Sequence, residues 1–147
     1  MRFARVLDLG CGKGTLTASV ARLVAAVEVR GLDCSPTAVR IERERHPHLR
    51  FQVADAIHTA DRWGHQDLIV ISEVLSYVAD WRELVSKAAR SAAFLCIGLY
   101  LPPNPMGWVK SFDELLSVSR SVGAIERSVQ PRPERMALLL RSSTNPD

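Results

Sequence analysis

The sequence predicts an α/β protein. Its expected core is a doubly wound, seven-stranded sheet, mostly parallel, with one antiparallel strand near the C-terminus and helices on both faces. Three observations predict it. Short apolar runs alternate with helix-period segments along the whole chain, an order that implies a parallel sheet covered on both sides. The run D-L-I-V-I-S at residues 67–72 is almost continuously apolar, as expected of a strand buried on both faces. The chain closes on two strand-like segments around a proline-containing turn, and such a hairpin inserts one antiparallel strand.

Taken in order, residues 3–9 form the first strand. Leu16, Val20, Leu23 and Val24 repeat at helical spacing, so a helix runs from Thr15 to about Val24. A weakly alternating strand over residues 27–32 ends in Asp33. Ser35 and Pro36 then give a strong helix start, N-cap followed by proline in the first turn. This helix runs to about Arg45, with Arg40, Glu42, Arg43, Glu44 and Arg45 read as a solvated outer face of mixed sign. A third strand over residues 49–54 ends in Asp55, and a less regular piece passes through His58, Asp61 and Trp63. After the fourth strand, Asp80 and Glu83 form a D-x-x-E capping pair. The helix behind it carries Trp81, Leu84, Val85, Ala88 and Ala89 on one face. Residues 92–99 are the fifth strand. A Pro/Asn/Gly loop follows, then a capping box at Ser111 and Glu114 and a helix that Gly123 ends. Residues 124–129 and 135–141 are the last strands.

A single domain over residues 1–141 with a disordered tail at 142–147 suits a length of 147 residues. Hydrophobic residues make up 47% and charged residues 24%, ordinary for a globular protein. No apolar stretch is long enough to span a bilayer, and the first residues run straight into a core strand, so a cytoplasmic location is expected. The net charge of +3 is too weak to single out nucleic acid, and none is expected as a partner. Cys11, Cys34 and Cys96 are scattered, without metal-ligand spacing, and are read as buried or semi-buried thiols.

Between the first strand and the first helix the chain reads V-L-D-L-G-C-G-K-G-T. Gly10, Gly12 and Gly14 make a turn on which a ligand can lie directly against the backbone. A dinucleotide site wants G-x-G-x-x-G, and Thr15 stands where its third glycine would fall. Asp8, Asp33 and Asp55 fall at or just past the ends of three neighbouring strands, so they meet at one edge of the sheet. Unliganded, they would repel one another; a ligand with an amine, a ribose diol and an exocyclic amine would satisfy them in turn. Asp33 lies about 20 residues past the turn, where an acid takes ribose hydroxyls.

From Val6 almost to its end the chain resembles class I S-adenosylmethionine (SAM)-dependent methyltransferases, which are Rossmann-like. The resemblance implies SAM as cofactor. It implies that Asp8, Gly10, Cys11, Gly12 and Gly14 surround its methionine part. Asp33 then binds the ribose, with Cys34 beside the adenine. Asp55 binds the adenine amino group, with Ala56 offering its backbone N–H. Ser72, Glu73 and Val74 face the methyl donor and the acceptor. The stretch D-L-I-V-I-S-E-V-L-S-Y-V also resembles the nodulation (NodS-like) N-methyltransferases, which implies methylation of an oligosaccharide amine. Two departures stand out. The family usually carries one or two helices before its first strand, so the domain is expected to lack those cap helices. The turn before the fifth strand reads A-R-S-A-A instead of carrying a proline–glycine pair.

The expected reaction is transfer of the sulfonium methyl to a small-molecule acceptor. An amine acceptor must first lose a proton, and Glu73 and Tyr77 are the candidate catalytic residues by their place after the fourth strand. No metal is expected, and the protein is expected to be a monomer or homodimer. Two other readings stand beside this one: a nicotinamide-dependent oxidoreductase, and a truncated SAM-binding protein without activity.

Overall fold

The structure is a computed structural model that describes residues 3–143 except Lys13, Ala25 and Val27. Its seven strands run in the order β3-β2-β1-β4-β5-β7-β6. They are β1 (Arg5–Leu9), β2 (Glu28–Asp33), β3 (Arg50–Val53), β4 (Gln66–Ser72), β5 (Ala92–Tyr100), β6 (Gly123–Arg132) and β7 (Arg135–Ser142). Strands β1 to β5 pair in parallel, whereas β7 is antiparallel to both β5 and β6. One strand therefore runs against the rest, as the closing hairpin predicts. The order turns back beside β1, where neighbouring strands lead their connections to opposite faces and a crevice opens at the carboxyl ends.

Helices α1 (Thr15–Leu23) and α2 (Pro36–Arg45) cover one face, and α3 (Trp81–Ser91) and α4 (Phe112–Val122) the other. The larger core lies under α3 and α4, around Leu7, Leu9, Ile69, Ile71, Trp81, Leu95 and Ile97, all inaccessible to solvent. The predicted inner face of α3 is buried at all five of its positions. Ser35 caps α2 through the Ala38 N–H, and Ser111 caps α4 through the Glu114 N–H.

Four local readings are corrected. Leu16 and Leu23 are 40% and 83% exposed; the packed stripe of α1 is Thr17, Val20, Ala21 and Val24. The shift follows from Thr17, the one fully buried residue of α1, whose hydroxyl donates to Asp8 at 2.6 Å. Glu42 does not belong to the solvated face of α2. It is fully buried on the same inner stripe as Val39, while Arg40, Arg43, Glu44 and Arg45 are exposed. Asp80 takes the N-cap position of α3 without a side-chain bond, at a ψ of 37° outside the extended region of a cap, and the reciprocal bond is missing because Glu83 turns to Lys87 one turn on, at 2.9 Å. Cys34 is exposed, whereas Cys11 is buried and Cys96 half-buried.

At the C-terminal end Gly123 follows α4 with extended φ, not the left-handed conformation of a glycine stop. Its role is close approach: a Cβ there would lie 2.2 Å from the Arg141 carbonyl oxygen on β7. β7 runs one residue past the expected domain edge, to Ser142. Val27, and residues 144–147 of the expected tail, lie outside the described residues.

Candidate functional site

The glycine turn is tied to its neighbour strand before any ligand enters. The Gly10 and Cys11 N–H groups both donate to the Leu32 carbonyl of β2, at 2.7 and 3.0 Å. Gly10, Gly12 and Gly14 all have φ between 59° and 71°, a region where side chains with a Cβ are strained. Gly10 also has a packing reason, since a Cβ would stand 2.2 Å from Val74 Cγ2 on the turn after β4. At Gly12 the nearest atom to an added Cβ is 4.0 Å away, so the backbone there is open above.

The three strand-end acids occupy three different environments. Asp8 is 1% exposed and sits beneath the turn, accepting from Thr17. Burial pushes its carboxyl up from the ordinary 3.8 to about 7; the Thr17 hydroxyl opposes that shift, and Glu42 and Asp33 add to it. Asp33 stands at the rim. One oxygen accepts the Gly12 N–H at 2.9 Å and the other the Ser35 N–H at 2.8 Å. A single carboxylate thus couples the glycine turn to the start of α2. Asp55 is exposed, and its oxygen takes the His58 backbone N–H at 3.0 Å and the His58 Nδ1 at 2.9 Å. The His58 N–H, with the imidazole behind it, holds Asp55 below the usual carboxylate range.

A cleft of about 740 Å³ opens over these groups, within the range of small-molecule sites. It brings together Gly10, Asp33, Cys34, Asp55, Glu73 and Tyr77 from the predicted set. Asp8, Cys11 and Gly14 are buried behind it. Ala56 is half-buried against the main core, and Ser72 is half-buried with its hydroxyl toward Gly98 of β5. A larger hollow of about 1100 Å³ lies between α1 and α2, among Ala21, Arg22, Glu28, His48 and Arg50. It leads toward the starts of β2 and β3, away from the carboxyl ends where sheets of this topology bind ligands.

Glu73 is the one non-glycine described residue with positive φ, 59°. Its carboxylate is already engaged. One oxygen accepts the Tyr100 N–H at 2.9 Å and the other pairs with Arg135 at 3.2 Å. Tyr77 is 83% exposed on the 3-10 turn Leu75–Tyr77. That turn is held by the loop after β5, where the Trp108 N–H donates to the Ser76 carbonyl. Among the described residues, no group of three or more His, Cys, Asp or Glu could hold a metal ion, and no helix is long and apolar enough to cross a membrane.

Sequence reasoning missed several wall residues. Ile57, Val78 and Ala79 give the cleft an apolar side, and Lys87 crosses from α3 to the Ile57 carbonyl at 3.3 Å. Lys87 was findable as the i+4 partner of Glu83; the irregular segment around Ile57 carries no periodic signal.

The profile of a family described as "Methyltransferase domain" matches residues 6–93. Trans-aconitate 2-methyltransferase of Variovorax paradoxus (strain S110) is 36% identical over 102 residues, 69% of this chain and 39% of that protein. A ubiquinone biosynthesis O-methyltransferase of Xanthomonas oryzae pv. oryzae is 34% identical over 59% of this chain and 38% of its own length. The chain thus spans about two fifths of the curated relatives it matches. Among solved structures, the N-methyltransferase NodS of Bradyrhizobium japonicum WM9 in complex with S-adenosyl-L-homocysteine shares the fold. Its TM-score is 0.83 at 18% identity, over 97% of this chain and 79% of that one.

Proposed function

Because the chain belongs to the methyltransferase-domain family, we propose that it transfers the methyl group of S-adenosylmethionine to a small-molecule acceptor. The observation that carries the reading is the Asp33 carboxylate, joined to Gly12 of the turn and to Ser35 of α2 at the rim of a cleft of matching size. The residues present fit the cofactor. The open backbone at Gly12 and the wall at Gly10 would receive the methionine part, and Asp33 the ribose hydroxyls. Cys34 would lie beside the adenine, with Asp55 and the Ala56 N–H at its edge. Asp8, Cys11 and Gly14 would act from beneath, by shaping the turn, and Ser72 from the side of β4.

Bound SAM supplies a methyl group on a sulfonium, already activated for nucleophilic attack. What this chain adds is alignment, which in ideal cases lowers a barrier by roughly 7–11 kcal/mol. Glu73 fixes the turn after β4 against β5 and β7 through Tyr100 and Arg135, and so sets where Val74 and Tyr77 stand. Tyr77 forms the outer wall of the acceptor side.

Two acceptor classes follow. With both oxygens engaged, Glu73 is poorly placed to take a proton from an ammonium group. This favours an oxygen nucleophile that is ionised at neutral pH, such as a carboxylate; one relative, 36% identical, is named for trans-aconitate, and another, 34% identical, as an O-methyltransferase. An oligosaccharide amine, the NodS-like alternative, would need Glu73 released from Arg135. Titration calorimetry with SAM and NADH tests the cofactor: NADH binding without SAM binding refutes the reading. Radiolabelled methyl transfer to panels of carboxylates, phenols and amino sugars then tests the acceptor. Transfer to amino sugars alone refutes the oxygen preference, and SAM binding with no transfer to any panel marks a binding-only protein.

A further inference from the structure

Glu42 is a charged residue in a place that charged residues rarely occupy. It lies on the inner stripe of α2 with no solvent exposure, beside Val39 and one turn before His46. It does not line the cleft. Its Oε2 accepts from the Cys11 thiol at 3.2 Å, while the Gly14 N–H donates to the Cys11 carbonyl at 3.0 Å. Its stem is the floor of the turn: a Cβ on Gly14 would meet Glu42 Cγ at 3.1 Å, with the His46 ring at 3.2 Å and the Phe51 ring at 3.3 Å. Two of the turn's residues therefore rest on this one side chain.

We propose that Glu42 is a positioning residue for the glycine turn: its buried carboxyl, acting as the neutral acid, holds the Cys11 thiol while its stem supports Gly14, in the arrangement that receives the cofactor. The cofactor part rests on the SAM reading above. Neutrality follows from the surroundings. The titratable groups facing Glu42 are Asp8 from β1, Cys11 from the turn, Asp33 from β2 and His46 at the end of α2, while β3 presents the Phe51 ring. Oε1 is buried and has no hydrogen-bond partner among the described residues. An anionic oxygen in that position costs more than a neutral hydroxyl, and a second and third carboxylate stand close by. Burial accordingly pushes the Glu42 carboxyl up, with Asp33 adding to the shift against the Cys11 thiol bond and the nearby Gly14 N–H.

The role requires a hydrogen-bonding group of this shape and no charge, which separates Glu42→Gln from Glu42→Ala. The experiment measures S-adenosylhomocysteine affinity by titration calorimetry at pH 6, and follows the Gly14 amide by NMR in cofactor-free protein from pH 5 to 9. Glu42→Gln is expected to bind within about threefold of the parent, and Glu42→Ala at least tenfold more weakly. The Gly14 amide should titrate in the parent, with that component missing in Glu42→Gln. The proposal is overturned if Glu42→Gln loses as much affinity as Glu42→Ala, if Glu42→Ala binds like the parent, or if Gly14 titrates identically in Glu42→Gln. Should Glu42→Ala fail to fold, the Gln comparison alone decides. Should the parent bind no S-adenosylhomocysteine, the cofactor reading fails, and the Gly14 titration still decides whether Glu42 holds the turn.

Discussion

Replacing Asp8 by Asn tests whether the acid beneath the turn is held for binding at the expense of stability. In the folded protein its carboxyl titrates at about 7 against an ordinary 3.8. The folded value is raised, so the stability Asp8 contributes is fully present below pH 3.8 and is lost as pH rises through about 7. At 1.36 kcal/mol per pH unit the loss is on the order of 4 kcal/mol by pH 8. Asparagine fits the same space and carries no charge to desolvate. Asp8→Asn should therefore match the parent near pH 3, exceed it by roughly 1.6 kcal/mol at pH 5 and by up to about 4 kcal/mol at pH 8 if neighbouring acids do not readjust. For a chain of this size that corresponds to roughly 8–16 °C in melting temperature. Urea unfolding of parent and variant from pH 3 to 8 measures it directly. The variant should at the same time bind SAM more weakly, because a cationic ligand favours an ionised neighbour. Parallel stability–pH curves for the two proteins would refute the reasoning, since Asp8 would then not be the group that titrates.

The other predictions concern single contacts. Asp33→Ala removes the acceptor for Gly12 and Ser35 together with the proposed ribose contact, and charged hydrogen bonds contribute about 1.5–3 kcal/mol each; calorimetry should show SAM affinity down more than tenfold. Gly10→Ala drives a Cβ into Val74 at positive φ, at a cost of roughly 2–5 kcal/mol in unfolding free energy. Adding Val74→Ala should recover only the steric part. Gly123→Ala meets the Arg141 carbonyl at 2.2 Å without any backbone strain of its own, and should cost about 1–3 kcal/mol by urea unfolding. Glu73→Gln breaks an exposed ion pair worth under about 1 kcal/mol, and as a clasp it should lower kcat less than tenfold. A loss above a hundredfold at unchanged KM would make Glu73 the base instead.

The sheet was legible because its signals are local and repeated. The β-α alternation, the Ser35–Pro36 start and the five buried positions of α3 each follow from period or capping alone. The hairpin with its single antiparallel strand followed from the spacing of the last two runs. What the sequence concealed was orientation within an element. Leu16, Val20, Leu23 and Val24 made a plausible face for α1, yet Thr17 sets the rotation, because one hydroxyl bonded to a buried acid outweighs two leucines at the rim. Glu42 was hidden the same way. Its place three residues after Val39 on the inner stripe was visible, but a glutamate among arginines reads as surface. The side chains of the site were harder still, since their partners lie far off in sequence: Glu73 to Arg135 spans 62 residues.

Thr17 and Glu42, the two side chains whose burial the helix periods concealed, belong to one arrangement. Thr17 and Glu42 both serve acids or backbone beneath the glycine turn, and Asp33 holds that turn from the rim. Three carboxyls therefore converge on a turn whose proposed ligand carries a sulfonium and an ammonium group. Without the ligand, Asp8 and Glu42 are pushed toward their neutral forms by burial, with Asp33 adding to the shift at both and Glu42 to that at Asp8. A cation arriving above the turn favours the ionised form of whichever acid lies nearest. Binding should then release protons near neutral pH, and SAM should release more than S-adenosylhomocysteine, which lacks the sulfonium charge. Calorimetry at pH 7 in buffers of different ionisation enthalpy counts those protons. Equal release for the two ligands would mean that the acids beneath the turn do not sense the sulfonium, and that their role is confined to holding the backbone.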